Sequence, residues 1–119
     1  MSKYGNTKEI IDGITFDSQK EANRYCELRL LQRAGKIDKL ELQKEFELIP
    51  AQFESIKVGN TWKRGKCVER ACRYRCDFYY WDCEKQNWVC EDVKGYKTDV
   101  YKIKRKLLRY RYGIEVREV

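Results

Sequence analysis

The sequence contains no histidine, a single proline and no long apolar run. A helix that crosses a bilayer needs roughly 18–20 consecutive apolar residues, so we expect no membrane span. The first residues, MSKYGNTKEIIDG, lack the apolar core of a signal peptide, and we therefore expect a cytoplasmic protein. Nine tyrosines, four phenylalanines and three tryptophans beside one proline are typical of a folded domain rather than a disordered tail.

The cysteines do not follow a zinc-finger pattern. Five of them, at 67, 72, 76, 83 and 90, are separated by 4, 3, 6 and 6 residues, so there is no C-x₂-C pair and no histidine to complete a site. Cytoplasmic thiols stay reduced, and Cys72 and Cys76 alternate with aromatic residues, where a thiol behaves as a small hydrophobe. We expect inert thiols, with a structural zinc as the alternative.

Positive charge is concentrated in the second half of the chain. Residues 1–60 carry ten basic and ten acidic side chains, whereas residues 61–119 carry 16 basic and nine acidic ones, which accounts for the net charge of +7. An excess of this kind favours a polyanionic partner, with nucleic acid first. A charged surface that only keeps the protein soluble is the alternative.

The local patterns predict one domain over residues 1–119, with an N-terminal hairpin in 1–17 and a core in 18–119. A helix begins at Ser18, which forms an S-x-x-E capping box with Glu21, and ends at Gly35. Its predicted apolar face is Ala22, Tyr25, Cys26, Leu28 and Leu31.

Three strands follow, over 40–49, about 67–81 and 88–94, and residues 51–65 form a loop or an irregular hairpin. The second strand alternates, with Cys72, Tyr74, Cys76, Phe78 and Tyr80 on one face. A helix over 98–111 has a predicted buried stripe and a basic stripe, and 114–119 form a last strand. The buried stripe is Val100, Ile103, Leu107 and Tyr110; the basic stripe is Lys102, Arg105, Lys106 and Arg109.

The strand pattern predicts that two carboxylates and an ammonium converge on one patch of this sheet. Asp92 and Lys94 are two residues apart and share a strand face, whereas Glu91 points to the other face. Asp77 comes from the preceding strand, which a short turn makes the antiparallel neighbour. Oxygen ligands of this kind suit Mg²⁺ or Mn²⁺, and the lysine could orient a water or neutralise charge on a scissile phosphate.

The element order α-β-β-β-α-β, with an acid on the middle strand and Asp-x-Lys on the next, resembles the PD-(D/E)XK nuclease superfamily. The finer pattern resembles small phage and prophage endonucleases related to Holliday junction resolvases. The segments that carry the resemblance are FDSQKEANRYCEL, LELQKEFELIP, YRCDFYYWD, CEDVKG and YKIKRKLLRY, which together cover nearly the whole chain. The proline of the PD signature is absent, and Cys76 stands in its place.

The resemblance implies an α/β, restriction-endonuclease-like core: a mixed central sheet flanked by helices. It implies that Asp77 and Asp92 bind the divalent metal, that Glu21 completes the metal site, and that Lys94 is the catalytic lysine. Gln43 matches a polar position that lines the cleft. The implied partner is branched or duplex DNA in a bacterial host cell, and a homodimer is expected because resolving a junction takes two coordinated cuts.

Each assignment has a structural alternative. Glu21 could be only a capping-box acid, Asp77 could pair with Arg73 or Arg75, and Asp92 with Lys94 could be a plain ion pair. The basic stripe, which includes Lys102, Arg105, Lys106 and Arg109, could be a solvated face rather than a phosphate contact.

The sequence therefore predicts a metal-dependent DNA endonuclease. A non-catalytic DNA-binding protein that uses the basic helix is the alternative, and a zinc-stapled binding module is a third class.

Overall fold

A computed structural model describes residues 8–93 and 97–119. Their elements run in the order β1 (Glu9–Ile11), β2 (Ile14–Phe16), α1 (Gln19–Arg33), β3 (Ile37–Ile49), β4 (Gln52–Val58), β5 (Thr61–Glu69), β6 (Cys72–Asp82), β7 (Asn87–Asp92), α2 (Asp99–Tyr112) and β8 (Val116–Glu118). The protein is thus mixed α/β, with two helices and an N-terminal antiparallel hairpin, as the sequence predicts.

The central sheet has four strands in the order β3-β6-β7-β8. Strands β3, β6 and β7 are antiparallel neighbours, and β8 lies parallel to β7 because α2 carries the chain back along the sheet. The predicted order α-β-β-β-α-β is confirmed for this core, and β4 and β5 form a separate hairpin inserted between β3 and β6.

Local sequence signals explain where the elements begin and end. Asp12 and Gly13 have φ of 54° and 77°, the left-handed pair that a tight β1–β2 hairpin requires. The Ser18 hydroxyl accepts a hydrogen bond from the Glu21 backbone N–H at 3.2 Å and opens α1. Thr98 caps α2 in the same way, and Gly113 at φ 69° ends it.

The buried side chains form two cores on opposite faces of the sheet. The α1 core is made of Phe16, Ala22, Tyr25, Leu28, Ile37, Phe78 and Tyr80. The α2 core is made of Phe46, Leu48, Tyr74, Cys76, Cys90, Tyr101, Leu108 and Val116. Cys26 of the predicted α1 face is exposed instead.

The alternation predicted for β6 is wrong in one respect. Tyr74 and Cys76 belong to the α2 core, whereas Phe78 and Tyr80 belong to the α1 core. The buried positions keep their spacing of two, but the core that they face changes at Asp77. The buried side chains of β6 therefore switch from the α2 core to the α1 core at Asp77, which the sequence predicts to be a metal ligand.

The buried stripe predicted for α2 is also wrong. Tyr101 and Leu108 are the buried residues of this helix, and Leu107 is half-buried. Val100, Ile103 and Tyr110 are 62%, 58% and 89% exposed. The helix is rotated by about one residue because the large Tyr101 ring, rather than Val100, packs against Tyr74 at 6.2 Å between ring centroids.

Candidate metal and nucleic-acid site

Asp77 and Asp92 lie side by side on the two central strands. The pairing of Phe78 with Glu91 places Asp77 across from Asp92. The Asp77 backbone N–H donates to Asp92 Oδ1 at 3.0 Å, and the Val93 backbone N–H donates to Asp77 Oδ2 at 2.9 Å. Each carboxylate is therefore oriented by the backbone of the other strand, and no ion pair joins Asp77 to an arginine of its own strand in the described residues.

This pair has the donors that a hard divalent cation prefers. The two hydrogen bonds are accepted by Asp92 Oδ1 and Asp77 Oδ2, one oxygen of each carboxylate. Asp92 is fully buried and Asp77 is half-buried, so the site lies at the boundary between protein and solvent. Mg²⁺ takes one or two carboxylates and completes its shell with waters and substrate phosphate, and the donor set fits that description.

A third acidic ligand does not join them in residues 8–93 and 97–119. Within that part of the chain no three Asp, Glu or Cys side chains are grouped closely enough to hold a metal ion. Glu21 instead accepts a hydrogen bond from Gln43 Nε2 at 3.4 Å. Lys94, the predicted catalytic lysine, lies outside the described residues.

Gln43 has a left-handed backbone conformation that the sequence does not predict. It lies across from Asp77, because Leu42 pairs with Phe78 and Lys44 pairs with Cys76. Its φ is 55°, a left-handed conformation that is uncommon for a residue with a side chain. Such conformations cluster at functional sites, and this one lies where the strands exchange cores.

Glu91 lies on the opposite face from Asp92 and is fully buried. Arg24 of α1 binds it through two bonds of 2.7 Å, from Nε to Oε1 and from Nη2 to Oε2, and the Tyr80 hydroxyl donates to Oε2. Glu91 raises the pKa of Arg24 above its ordinary value. Burial, and then the hydrogen bond to Glu91, raises the pKa of Tyr80 to about 12. The sequence predicts that Glu91 lies on the strand face opposite Asp92, but only the fold shows that Arg24 is its partner.

The face of α2 next to Asp92 contributes aromatic and basic groups. Burial, with the carboxylates of Glu118 and Asp92, raises the pKa of Tyr101. Arg105 forms an ion pair with Glu118 at 3.2 Å, and Arg109 forms one with Glu115 at 3.6 Å.

Two members of the predicted basic stripe keep their charge available for a partner. Lys102 and Lys106 are exposed, and neither forms an ion pair within residues 8–93 and 97–119. Arg105, Lys106 and Arg109 also line a cavity of about 320 Å³ with Glu115 and Glu118. The stripe therefore combines two free ammonium groups with two arginines that already have acidic partners.

The cysteines are spread over the structure as free thiols. Cys76 and Cys90 are fully buried in the α2 core, whereas Cys26 and Cys67 are exposed. Two effects raise the pKa of the Cys90 thiol: a hydrogen bond with Cys76, which is the larger, and burial. A buried thiol that holds its proton is a poor nucleophile and metal ligand.

These observations define the class: a mixed α/β protein with a carboxylate pair fixed between the central strands of its sheet. The chain belongs to the DUF1064 family, described as protein of unknown function, whose model matches residues 1–118. No curated protein and no solved structure matches the chain. Neither helix of the described residues has the length and apolar character needed to cross a membrane.

Proposed function

We propose that this protein is a metal-dependent DNA endonuclease of the PD-(D/E)XK type that hydrolyses phosphodiester bonds in branched DNA. The observation that carries the proposal is the cross-strand clasp of Asp77 and Asp92, in which each carboxylate is fixed by the other strand. A solvated surface acid needs no such fixing, whereas these two hydrogen bonds hold both carboxylates side by side, as two ligands of one divalent cation would lie.

Asp77 and Asp92 would hold a Mg²⁺ or Mn²⁺ ion at the end of β7. When bound, the ion supplies Lewis-acid activation of the phosphate and a nucleophilic water at neutral pH. The protein's part is to fix the two carboxylates before substrate arrives, which the two backbone hydrogen bonds do.

Lys94 and Glu21 have supporting roles in this proposal. Lys94 follows Asp92 by two residues, and its ammonium would neutralise charge that develops on the scissile phosphate. Glu21 accepts a hydrogen bond from Gln43 at 3.4 Å and is not grouped with the carboxylate pair in the described residues, so as the proposed third acid it would have to approach the cation on binding. The exposed Lys102 and Lys106 would contact the DNA backbone.

A cleavage panel tests this function. Purified protein is mixed with a four-way junction, a flap, single-stranded DNA and duplex DNA, each with Mg²⁺ or with EDTA. We expect cleavage that needs Mg²⁺ and is fastest on a branched substrate. Cleavage that persists in EDTA, or none on any of the four substrates, would contradict the proposal.

A non-catalytic DNA-binding protein is the second candidate, and the exposed Lys102 and Lys106 of α2, which form no ion pair within the described part of the chain, favour it. The same panel separates the two functions when binding is measured beside cleavage. Tight binding in EDTA without cleavage in Mg²⁺ supports the second candidate and excludes the first.

A homodimer in the bacterial cytoplasm belongs to the proposed function, because resolving a junction takes two coordinated cuts. The exposed apolar side chains of α2, Val100, Ile103 and Tyr110, offer a face for it. Sedimentation of the purified protein at micromolar concentration is expected to give twice the chain mass of 14.4 kDa. If Ile103→Lys forms the dimer as strongly as the wild-type protein does, this face of α2 is not the dimer interface.

A further inference from the structure

The hairpin formed by β4 and β5, residues 52–69, stands away from both cores. Its strands pair with each other as a separate two-stranded sheet. Every residue of the hairpin strands is exposed except the half-buried Gly65. A two-stranded hairpin alone is at best marginally stable in water, so its sequence is not explained by core packing.

One face of this hairpin interleaves cations and aromatic rings. Lys57 pairs with Trp62 and Ser55 pairs with Arg64, which places these side chains on one face with Phe53. The Lys57 Nζ lies 5.9 Å from the Trp62 ring centroid, and the Arg64 Cζ lies 4.1 Å from the Phe53 ring centroid. We call this set of Phe53, Lys57, Trp62 and Arg64 the cationic face.

The opposite face carries Ile56 and Val58 together with the charged Glu54 and Lys63. Ile56 lies directly over Gly65, where an added Cβ would come within 2.6 Å of Ile56 Cδ1. Lys63 pairs with Ile56 and lies on this second face. The alternation therefore separates Lys57 and Arg64 from Lys63, although all three are exposed.

The chemistry of the cationic face suits a nucleic acid. Lys and Arg bind phosphates, and a ring next to them stacks on a base that is not held in a duplex. Trp62 is 65% exposed, beside the turn at the tip of the hairpin. The carboxylates of an acidic peptide would engage the two cations, but they carry no ring that could stack on the indole as a base does.

We propose that the cationic face binds DNA with unpaired bases next to a duplex, with Lys57 and Arg64 on phosphates and Trp62 stacked on an unpaired base. This rests on the proposed function and names its substrate class: forked or branched DNA in preference to continuous duplex.

Binding measured in EDTA tests the proposal without cleavage. The probes are a forked DNA and a blunt duplex of equal length, each labelled and titrated by fluorescence anisotropy over a range of salt. We expect Trp62→Ala to weaken binding to the fork about tenfold and binding to the duplex less than twofold. Trp62→Phe, which keeps a ring, should recover most of the loss.

A charge variant with a matched control tests the two cations. Lys57→Ala with Arg64→Ala should reduce the slope of log K against log salt concentration by about 1.4 to 1.8, one phosphate contact for each cation. Lys36→Ala with Lys85→Ala removes the same charge from exposed positions of the α1–β3 and β6–β7 turns and should leave it unchanged.

Two results would overturn this inference: an unchanged preference for the fork in Trp62→Ala, or equal salt dependence in the two double variants. Either result with normal Mg²⁺-dependent cleavage by the wild-type protein excludes DNA binding by the cationic face and leaves the proposed nuclease activity standing. The expected binding results without cleavage in Mg²⁺ exclude the nuclease activity and leave DNA binding by the cationic face standing.

Discussion

At the scale of single residues, the three acids that end β7 and face it have different chemistry. Glu91 is neutralised on the α1 side by Arg24 and accepts a hydrogen bond from the Tyr80 hydroxyl. Asp77 and Asp92 are instead linked across the two strands by backbone N–H donors, at 3.0 and 2.9 Å. The cation that we propose for this pair depends on that cross-strand geometry.

The ion pair of Arg24 and Glu91 should be structural. Arg24→Ala leaves the fully buried Glu91 without its cation and is expected to cost about 3 kcal/mol in the free energy of unfolding. Urea unfolding followed by circular dichroism measures the loss. Arg33→Ala, at the exposed last turn of the same helix, should change the free energy by about 0.5 kcal/mol or less. Equal effects of the two substitutions would show that Glu91 does not depend on Arg24.

The raised pKa of Tyr80 predicts a loss of stability at high pH. The folded protein holds the hydroxyl proton to about pH 12, whereas the unfolded chain releases it near the ordinary value of 10.0. Between these values the unfolded state binds fewer protons, so the free energy of unfolding falls as pH rises.

Urea unfolding at intervals from pH 9 to 12 checks this for wild type and Tyr80→Phe. The phenylalanine variant has no proton to release and should lose stability less steeply over that window. Parallel curves for the two proteins would contradict the assignment.

At the scale of elements, the sequence predicts well which segments are helices or strands, but it predicts less well which face of each element is buried. The capping signals at Ser18 and Gly113 and the Asp12-Gly13 turn are local, so they place α1, α2 and the first hairpin. The phase of α2 is not local, because which of Val100 or Tyr101 is buried depends on the shape of the sheet beneath it.

The second hairpin was the least predictable element. The hairpin strands have no buried face, so their residues do not alternate between apolar and polar as those of a half-buried strand do. The boundary between β5 and β6 also falls inside the segment 67–81, which the sequence predicts to be one strand. The change of core at Asp77 is likewise hidden, because a spacing of two is kept on both sides of it.

The rotated phase of α2 can be tested by two truncations. Leu108 is fully buried, and Leu108→Ala should cost about 2–5 kcal/mol. Ile103 is 58% exposed, and Ile103→Ala should cost less than about 1 kcal/mol in the monomer. Chemical denaturation at low protein concentration measures both. If Ile103→Ala lowers the free energy of unfolding more than Leu108→Ala does, the buried stripe predicted from the sequence is correct and the rotated helix is wrong.

At the scale of the whole molecule, the protein is more extended than its length requires. Its radius of gyration is 18.7 Å, whereas a compact domain of this length has about 13.5 Å. The difference is consistent with the projecting β4–β5 hairpin, whose seven-residue strand β4 spans roughly 23 Å.

The β4–β5 hairpin should be separable from the fold. Ile49 and Cys72 are paired where β3 meets β6, so a short Gly-Ser turn can replace residues 52–69. Because no hairpin residue belongs to either core, the shortened protein should unfold cooperatively at nearly the same urea concentration. Loss of a cooperative transition, measured by circular dichroism, would show that the hairpin supports the core.

The candidate site is predictable from sequence only in outline. The position of Asp92 on its strand and the strand pattern around Asp77 predict that the two carboxylates lie next to each other, and the structure places them side by side. The left-handed Gln43 and the backbone clasp could not be predicted, because both depend on how two strands pair across the sheet rather than on the order of residues within one.

The most direct test of the central claim is the rate of Mg²⁺-dependent cleavage of a four-way junction by wild type, Asp77→Asn and Asp92→Asn. Asp38→Asn, an exposed aspartate at the far end of β3, is the matched control. We predict a loss of at least about 100-fold for each site variant, with binding to the junction in EDTA retained and Asp38→Asn active. Cleavage by Asp77→Asn or Asp92→Asn at the wild-type rate would contradict the account.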